Sequence, residues 1–504
     1  MKILDAAQIR SLDAYTIKHE PVDSIELMER AAGKCFTWIK SRMRRKRKVR
    51  IFCGTGNNGG DGLALGRMLG GTGHQVLIHL AGPWQEGSAD FRANREKLNG
   101  VRNLVVQELS GDALLPEIDP GDLVIDALFG SGLNRPLEGF YSRIVQHIND
   151  SGAVVVSIDL PSGLFCGDNT ANDYKSVIQA DYTLSFQLPK LAFLFREHEM
   201  YTGQWEVLDI GLHQDGLDQA ETDFYMVEPG DLKSLYRPRK RFCHKGNFGH
   251  ALLIAGSREK MGAAMLAAKA CLRSGSGLLS VCVPAGGVTA MHAGIPEAMC
   301  LPANDPGIVD GIPSDLKAFQ AIGAGPGLGT EDATARALKL LIQEATVPLV
   351  LDADALNILA KNPTWCGFLP QGTVLTPHPG EFDRMAGKSG SGYERLMKAR
   401  DFAHRFQVHL VLKGAYTASI SPRGKVYFNP TGNPGLATGG SGDVLTGAIL
   451  AWLSQGYDPL ASCLIGVYTH GLAADLAVRG RAYEGLLAGD VTEMLPKAIN
   501  KVLS

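Results

Sequence analysis

Two glycine-rich segments contain the residues best suited to chemistry, and each includes an acid. Gly54–Gly62 reads GTGNNGGDG, and Gly432–Asp443 reads GNPGLATGGSGD. An apolar helical pattern follows each segment, so backbone N–H groups at the helix start can bind a phosphate or a carboxylate. An acid at that place repels phosphate, so Asp443 is better suited to deprotonating a hydroxyl group that attacks phosphorus. The alternative is that Asp443 is an ordinary helix N-cap.

Two further polar turns in the first half of the chain also follow apolar runs. They are Asp126–Leu133, DALFGSGL, and Asp159–Gly163, DLPSG. Ligands of an open α/β sheet lie beyond the carboxyl ends of its strands, so these turns and Gly54–Gly62 are expected to converge on one crevice. Asn57 and Asn58 offer amide oxygens, which can bind a hard cation as well as a substrate. The alternative is that these residues only form turns and caps.

The second half has its own set of glycine turns and polar strand ends. They are His244–Gly249, Gly323–Gly329, Leu351–Leu356, Thr376–Phe382 and Leu412–Thr417. The last of these places Lys413 directly after an apolar run. The small residues Met261–Ala264 open a helical pattern and leave room for a flat ligand. This half therefore predicts a second binding crevice.

The elements that must position these residues alternate between strand and helix. The predicted strands of the first half are Val49–Cys53, Gln75–Ala81, Asp122–Leu128, Ala153–Leu160 and Tyr182–Phe186. A helix is predicted over Leu63–Leu69. The predicted strands of the second half are Ala251–Ala255, Leu278–Val283, Ala318–Gly323, Pro348–Asp352 and His409–Leu412. The predicted helices of this half are Ala263–Arg273, Asp332–Glu344 and Val444–Trp452. Such alternation is typical of βαβ units, so we predict an α/β protein with two domains, 1–220 and 221–504.

Composition excludes several classes of protein. The chain has 504 residues, of which 45% are apolar and 20% charged, with a net charge of −2. This balance fits globular domains and gives no overall electrostatic case for nucleic acid. Nine cysteines without a CxxC pair indicate reduced thiols in a cytoplasm and no structural zinc site. We expect no signal peptide, because the first residues lack an apolar core, and no membrane span, because no charge-free run of 18 apolar residues occurs.

One cluster of positive charge departs from this balance. Arg42–Lys48 reads RMRRKRK. Such a run can attract RNA or acidic lipid. No aromatic residue interleaves it, so a solvated connector between a helix and the next strand is favoured.

The first-half motifs resemble the NAD(P)H-hydrate epimerase domain, which has a Rossmann-like fold. The resemblance covers about residues 1–215 and rests on four segments: GTGNNGGDG, DALFGSGL, DLPSG and the entry segment Leu27–Gly33. It implies that hydrated NADH or NADPH is held by Asn57, Asn58, Gly59, Gly60, Asp61, Gly130, Ser131, Gly132, Leu133, Asn134, Arg135 and Pro136. It also implies a potassium ion on Asn58, Asp126 and Ser162. Asp159 would face the substrate as the catalytic carboxylate, with Lys190 as its neighbour.

The second-half motifs resemble the ADP-dependent NAD(P)H-hydrate dehydratases, which have a ribokinase-like fold. The resemblance covers about residues 228–500 and rests on six motifs: KGNFG, GPGLG, DADAL, TPHPGE, VLKGAYT and NPGLATGGSGDVLTG. The resemblance implies that Asp443 deprotonates a ring hydroxyl, which is phosphorylated and then lost as phosphate. ADP would be held by Lys413, Gly414, Ala415, Tyr416, Thr417 and Gly442, and the hydrate by Ala263, Gly327, His378 and Asp443. Amides of Gly440, Ser441 and Gly442 would stabilise the phosphoryl group, and Glu381 would position Mg²⁺.

Together the two resemblances imply two three-layer α/β/α domains that repair a damaged nicotinamide cofactor. The rival interpretation is a ribokinase-like kinase for a vitamin precursor, fused to a ligand- or RNA-binding module. Such a kinase would share the motif GGSGD and the strand that ends before Lys413. The motifs TPHPGE and NPGLAT, and the lack of an obvious sugar-binding lid, argue against this interpretation. The expected partners are the hydrated cofactor, ADP and further copies of the chain, without nucleic acid or membrane. The fusion favours ADP over ATP.

Overall fold

The chain divides into two compact units between Thr222 and Asp223. A computed structural model describes residues 1–42, 47–111 and 114–503. The N-terminal unit contains Lys2–Thr222 and the short segment Ser391–Tyr393. The C-terminal unit contains Met1, Asp223–Gly390 and the chain from Glu394 onwards. Each unit has its own sheet and its own core.

The N-terminal unit alternates strands with helices along the chain. Its strands are β1 (Lys2–Ile3), β2 (Lys48–Cys53), β3 (Gln75–Ala81), β4 (Leu104–Leu109), β5 (Leu123–Ala127), β6 (Val154–Ile158), β7 (Tyr182–Phe186) and β8 (Gln204–Leu208). Its helices are α1 (Ala6–His19), α2 (Ser24–Arg42), α3 (Asn57–Gly70), α4 (Ala89–Glu96), α5 (Gly139–Asn149), α6 (Glu199–Thr202) and α7 (Gln214–Gln219).

A parallel seven-stranded sheet in the order β4-β3-β2-β5-β6-β7-β8 forms the centre of this unit. The strand β5, LVIDA, is buried along its whole length, as expected for a parallel strand covered on both faces. On one face Ile51 and Ile125 pack with Cys35 of α2 and Leu65 of α3. On the other face Phe52 and Val124 pack with Ile144 and Val145 of α5. The unit is therefore a three-layer α/β/α structure, as predicted.

Two features of this unit differ from the sequence prediction. The edge strands β4 and β8 were not predicted, because they are half-exposed and their apolar runs are only two or three residues long. The helix predicted over Leu63–Leu69 begins earlier, at Asn57, so most of the glycine-rich segment forms the first turns of α3. A β-carbon on Gly59 would collide with the Gly54 carbonyl, so glycine is required for this tight entry into the helix.

The C-terminal unit is larger and follows the same alternation. Its strands are β9 (Phe224–Met226), β10 (His250–Ile254), β11 (Leu278–Val283), β12 (Met299–Pro302), β13 (Ala321–Ala324), β14 (Leu349–Leu351), β15 (Val374–Leu375), β16 (His409–Leu412), β17 (Ala418–Ile420) and β18 (Val426–Phe428). Its helices are α8 (Pro229–Leu235), α9 (Met261–Arg273), α10 (Val288–Gly294), α11 (Asp332–Glu344), α12 (Asp354–Lys361), α13 (Pro379–Ala386), α14 (Gly392–Phe406), α15 (Ser441–Ser454), α16 (Pro459–Ala477) and α17 (Ala488–Leu503).

The sheet of this unit runs in the order β9-β18-β17-β16-β15-β14-β13-β10-β11-β12. Strands from β12 to β16 in this order are parallel, and β17 is antiparallel to both of its neighbours. Helices α9 and α15 cover one face, where Ala267 and Leu450 pack with Leu253. On the other face Leu338 and Leu341 of α11 lie beside Ile254 and Ala324. This unit is also a three-layer α/β/α structure.

One predicted strand of the C-terminal unit was misplaced. Ala318–Gly323 was expected to be a strand, but Leu316–Ala318 forms a short 3₁₀ helix and β13 occupies Ala321–Ala324. The Asp315 side chain accepts a hydrogen bond from the Lys317 amide and starts that helix. The strands β15, β17 and β18 were not predicted, because each has only two or three residues.

The helix α16 is the only described helix that is long and apolar enough to cross a membrane. Its mean hydropathy is 1.3, and 83% of its apolar 18-residue stretch is buried within the protein. A helix that is apolar all round and packed inside a protein is typical of a core, so its length and composition are weak evidence for a membrane span. Of the basic run Arg42–Lys48, residues 43–46 lie outside the described residues, while Arg42 pairs with Glu206 at 2.9 Å.

Candidate active sites

In the N-terminal unit, the turns after β2, β5 and β6 meet at the carboxyl edge of the sheet. A β-carbon on Gly130 would lie 3.0 Å from Asp159 Oδ2 and 3.2 Å from Asn58 Oδ1. Side chains from all three predicted turns therefore meet around this glycine. Asp159 has a φ of +65°, a left-handed conformation that is uncommon outside glycine and recurs at functional sites.

Asp159 is held by two fixed donors. The Ser131 amide donates to Oδ2 at 2.9 Å, and the Lys190 ammonium lies 3.0 Å from Oδ1. Burial alone would raise the pKa of Asp159, but Lys190 and the Ser131 amide lower it below its ordinary value. Lys190 is itself fully buried and donates to Ser185 Oγ at 2.9 Å. Asp159 is therefore a carboxylate at neutral pH, in a fixed orientation.

A buried set of oxygen atoms lies next to this carboxylate. Asp126 accepts hydrogen bonds from Ser162 Oγ at 2.5 Å, from the Ser162 amide at 2.8 Å and from Ser157 Oγ at 2.8 Å. Burial raises the pKa of Asp126, although these hydrogen bonds act against it. Asn58 Nδ2 is buried without a hydrogen-bond partner. That NH₂ group is a donor and cannot bind a cation, so a cation would be bound by the Asn58 Oδ1 oxygen. Together with the Asp126 carboxylate and the Ser162 hydroxyl, this oxygen makes a donor set that fits a hard cation such as K⁺.

Two further acids near Asp159 have raised pKa values. Burial, and then the charge of Asp159, raise the pKa of Asp13 to about 6. The same two causes raise the pKa of Asp61 well above its ordinary value. Asp61 belongs to the predicted substrate loop, whereas Asp13 was missed because nothing distinguishes it within the ordinary helical pattern of α1.

The distal part of the second predicted loop lies further towards solvent. Gly132, Asn134 and Arg135 are exposed, and Pro136 is half-buried. Leu133 packs against the apolar cluster beneath α5. The binding roles predicted for these residues stay predictions.

In the C-terminal unit, the predicted lysine lies at the start of α15. Lys413 Nζ is 2.8 Å from Asp352 Oδ1 and 3.8 Å from Glu381 Oε2. A β-carbon on Gly442 would lie 3.4 Å from the same ammonium. Burial acts to lower the pKa of Lys413, but Asp352 and Glu381 raise it above its ordinary value. A permanent positive charge therefore lies beside the helix N-terminus, which suits a phosphate.

Asp443 is the third residue of α15, so the interpretation of this acid as an N-cap is wrong. The N-cap is Gly440, whose φ of +91° favours glycine. Burial, and then the charge of Asp352, raise the pKa of Asp443 to about 6. Asp352 itself accepts a hydrogen bond from Thr446 Oγ1 at 2.8 Å. Asp443 is thus a carboxylate with a raised proton affinity in the first turn of α15, beside a glycine turn and a helix N-terminus of the kind that suits an anion.

His378 and Glu381 form a capping box at the start of α13. His378 Nδ1 accepts from the Gly380 amide at 3.0 Å, which leaves its Nε2 as the N–H donor. Glu381 Oε2 accepts from the His378 amide at 2.8 Å. Among the described residues no group of three or more His, Cys, Asp or Glu side chains is arranged to hold a metal. Glu381 therefore fits Mg²⁺ only where nucleotide phosphates and water complete the coordination shell.

The remaining predicted residues form the walls around this turn. A β-carbon on Gly327 would lie 3.0 Å from Ala263 Cβ, so these two residues are adjacent. The Gly329 amide donates to Asp354 Oδ2 at 2.9 Å, which fixes the glycine turn. The exposed Gly414 and Ala415 begin a loop that Thr417 closes through its hydroxyl group, which donates to the Gly414 carbonyl at 3.0 Å. Except for His244–Gly249, the predicted loops are thus brought to one edge of the sheet. His244–Gly249 was expected in the same crevice, but it precedes β10, and a β-carbon on Gly249 would collide with the Ser454 carbonyl at the C-terminal end of α15, so this turn lies at the opposite edge.

Both halves of the chain match known protein families. Residues 24–192 match the family of YjeF-related protein N-termini, and residues 251–497 match the NAD(P)H-hydrate dehydratase family. The bifunctional NAD(P)H-hydrate repair enzyme of Moorella thermoacetica is 36% identical, over 100% of this chain and 97% of that protein.

Two solved structures are each similar to a little over half of this chain. A ribokinase-like superfamily protein of Enterococcus faecalis is 27% identical with a TM-score of 0.50, over 56% of this chain and 97% of its own. The ADP/ATP-dependent NAD(P)H-hydrate dehydratase of Bacillus subtilis, co-crystallised with ATP and Mg²⁺, is 32% identical with a TM-score of 0.48, over 55% of this chain and 98% of its own.

Proposed function

The chain belongs to the family of bifunctional NAD(P)H-hydrate repair enzymes, and on that premise we propose how its two sites divide the repair. The N-terminal domain, 1–220, interconverts the R and S forms of hydrated NADH and NADPH. The C-terminal domain, 221–504, dehydrates the S form to NAD(P)H and consumes ADP. The observation that carries this assignment is a half-buried carboxylate with a raised pKa, Asp443, in the first turn of α15 beside a glycine turn that suits an anion.

Epimerisation requires hydroxide to leave C6 of the ring and to return on the opposite face. The lone pair of the ring nitrogen drives this departure and leaves an iminium ion. In our proposal the Asp159 carboxylate stabilises that cation, takes a proton from the water that adds to the opposite face, and returns it to the departed hydroxide. Lys190 and the Ser131 amide keep the carboxylate ionised and oriented for this role. The segments Asn57–Asp61 and Gly130–Pro136 hold the dinucleotide.

Asn58, Asp126 and Ser162 would hold K⁺ next to Asp159. The ion would supply a fixed positive charge that orients a substrate oxygen. We expect Asn58→Ala to raise the K⁺ concentration for half-maximal epimerisation about tenfold, because a contact to a charged group contributes roughly 1.5–3 kcal/mol. The measurement is epimerase rate against KCl at constant ionic strength, with Asn99→Ala as a surface control. An unchanged K⁺ dependence in Asn58→Ala would contradict this site.

Dehydration must convert a poor leaving group into a good one. Asp443 takes the proton of the ring hydroxyl, the hydroxyl oxygen attacks the β-phosphorus of ADP, and AMP leaves. Amides of Gly440, Ser441 and Gly442, with the Lys413 ammonium, stabilise the charge on the transferring phosphoryl group. The ring nitrogen then expels the phosphate, and loss of a proton restores the double bond.

The remaining residues of this site would bind and orient the two substrates. Gly414, Ala415, Tyr416 and Thr417 hold ADP together with Lys413 and Gly442, while Ala263, Gly327 and His378 contact the hydrate. Glu381 would hold Mg²⁺ together with the nucleotide, and the ion would neutralise phosphate charge. Preference for ADP over ATP is part of this proposal, and the nucleotide dependence of the rate tests it.

The raised pKa of Asp443 predicts an acid limb in the dehydratase reaction. A base acts only when deprotonated, so kcat/KM for dehydration should fall about tenfold per pH unit below about pH 6. Asp159 has a lowered pKa and stays ionised over the same range, so its ionisation should not produce the same limb in epimerisation. Rate profiles between about pH 5 and 8 measure this difference. A dehydration rate that stays constant down to about pH 5 would exclude Asp443 as the base.

Incubation with ADP and hydrated NADH tests the proposed function itself. We expect recovery of the absorbance of reduced nicotinamide, with one AMP and one phosphate released per NADH. A stable phosphorylated product without recovery of that absorbance would instead support the kinase alternative.

We also propose that the enzyme acts in the cytoplasm as a homo-oligomer that binds neither nucleic acid nor membrane. All nine cysteines are free thiols, which suits a reducing compartment. Light scattering of the purified chain measures the assembly, and a monomeric mass would contradict the oligomer.

A further inference from the structure

The carboxylate of Asp475, on α16, holds the segment that leads into the phosphate-binding turn. Its Oδ2 accepts a hydrogen bond from the Gly432 amide at 3.0 Å. Its Oδ1 accepts one from Asn433 Nδ2 at 2.9 Å. Hydrogen bonds to an ionised acceptor are roughly twice as strong as neutral ones, so this contact is a firm anchor.

A chain of hydrogen bonds continues from this anchor to the start of α15. Asn433 Oδ1 accepts from the Gly435 amide at 3.0 Å and caps the short 3₁₀ helix Pro434–Leu436. The carbonyl of Leu436 then accepts from Ser441 Oγ at 2.9 Å. Ser441 is the first residue of α15, and its neighbours are Gly440 and Gly442. Asp475 is therefore connected to the three amides of the anion-binding turn.

Without such an anchor, both ends of the segment Gly432–Gly440 would be free to move. Gly432 has a φ of +111° and Gly440 a φ of +91°, conformations that glycine adopts at little steric cost. Glycine also has the greatest backbone freedom to lose. The anchor on α16 thus fixes a segment that has a glycine hinge at each end.

We propose that Asp475 is a positioning residue for phosphoryl transfer in the C-terminal domain. It acts through Asn433 and Ser441 and places the amides of Gly440–Gly442 where the transferring phosphoryl group develops charge. This role rests on the proposed dehydratase function. Asp475 belongs to none of the predicted binding motifs, and its contact with Asn433 spans 42 residues of sequence.

The substitution Asp475→Asn tests this role with little change in volume. One carboxylate oxygen becomes an NH₂ group, which must face either the Gly432 amide or the Asn433 NH₂ group, both of which are donors. We expect kcat for dehydration to fall about 10²-fold, because a displacement of about 1 Å in a catalytic site has that effect. The KM values for ADP and hydrate should stay within about threefold, because the binding contacts themselves remain. Epimerase activity of the same chain should not change.

Two further variants separate positioning from stability. Asp458→Asn alters the carboxylate that caps the N-terminus of α16, where asparagine caps equally well, and should retain wild-type kcat. Asn433→Ala removes the other partner of the anchor, so it should lower kcat similarly, and the double variant should be no slower than the slower single variant. Wild-type kcat in Asp475→Asn overturns the proposal, as does an equal loss in Asp458→Asn. If Asp475→Asn does not fold, wild-type kcat in Asn433→Ala overturns it. A wild-type chain without dehydratase activity would contradict the proposed function instead.

Discussion

Asp443→Asn is expected to slow dehydration of the S hydrate by about 10³-fold, within the range of roughly 10²–10⁴ that a general base contributes. The amide retains the shape of the side chain but cannot accept the proton of the ring hydroxyl. The anion-binding turn is unchanged, so ADP should still bind with nearly wild-type affinity. Single-turnover formation of NADH from the S hydrate measures the rate, and titration calorimetry with ADP measures the binding.

The control for this prediction is Asp332→Asn. Asp332 is also an acid in the first turn of a helix, α11, but it is exposed and belongs to none of the site loops. Removing its charge should leave dehydration and epimerisation at wild-type rates. If Asp443→Asn dehydrated the S hydrate as fast as Asp332→Asn does, another group would be the base.

Asp159→Asn is expected to slow epimerisation by about 10³-fold, because the neutral amide neither stabilises an iminium ion nor moves a proton. The Ser131 amide and the Lys190 ammonium both contact this side chain and orient it, and neither of the neighbouring acids Asp13 and Asp61 has these two contacts. Exchange between the R and S hydrates, followed by chromatography in the absence of ADP, measures the rate.

This substitution also leaves the buried Lys190 without its anionic partner. Breaking a buried ion pair costs about 3–5 kcal/mol, so the folded state must be checked separately. Thermal unfolding measures the stability that the N-terminal domain has lost, and dehydration of the S hydrate shows whether the C-terminal domain is still folded and active. Asp209→Asn, at an exposed turn after β8, is the matched control. Wild-type epimerisation in a folded Asp159→Asn chain would contradict the role of Asp159.

Much of the fold was predictable because its strands are continuous apolar runs followed by glycine turns. The bounds of β3, β7, β11 and β16 agree with the prediction residue by residue. Strands that are exposed or very short do not show a long apolar run in the sequence. For example, β4 is half-exposed and β15 has only two residues. Their place in the sheet comes from pairing with neighbours, which a single sequence does not display.

The site was predictable loop by loop, but its internal contacts were not. Sequence placed Asp443 after a glycine turn, yet an N-cap and a catalytic base were both compatible with that position. The structure separates them, because Gly440 takes the N-cap position through its positive φ. Asp352 and Asp475 act on the turn from distant parts of the chain, so only the folded structure reveals their contacts.

The most direct test of the central claim is repair of the pure R hydrate in the presence of ADP. The account holds that two separate sites act in sequence, the first on stereochemistry and the second on the hydroxyl group. The wild-type chain should therefore convert the R hydrate to NADH. Asp159→Asn should leave it as R hydrate, and Asp443→Asn should stop at a mixture of R and S hydrates. A mixture of the two variants should restore NADH formation, whereas a mixture that stays inactive, or either variant that completes the repair alone, would contradict the account.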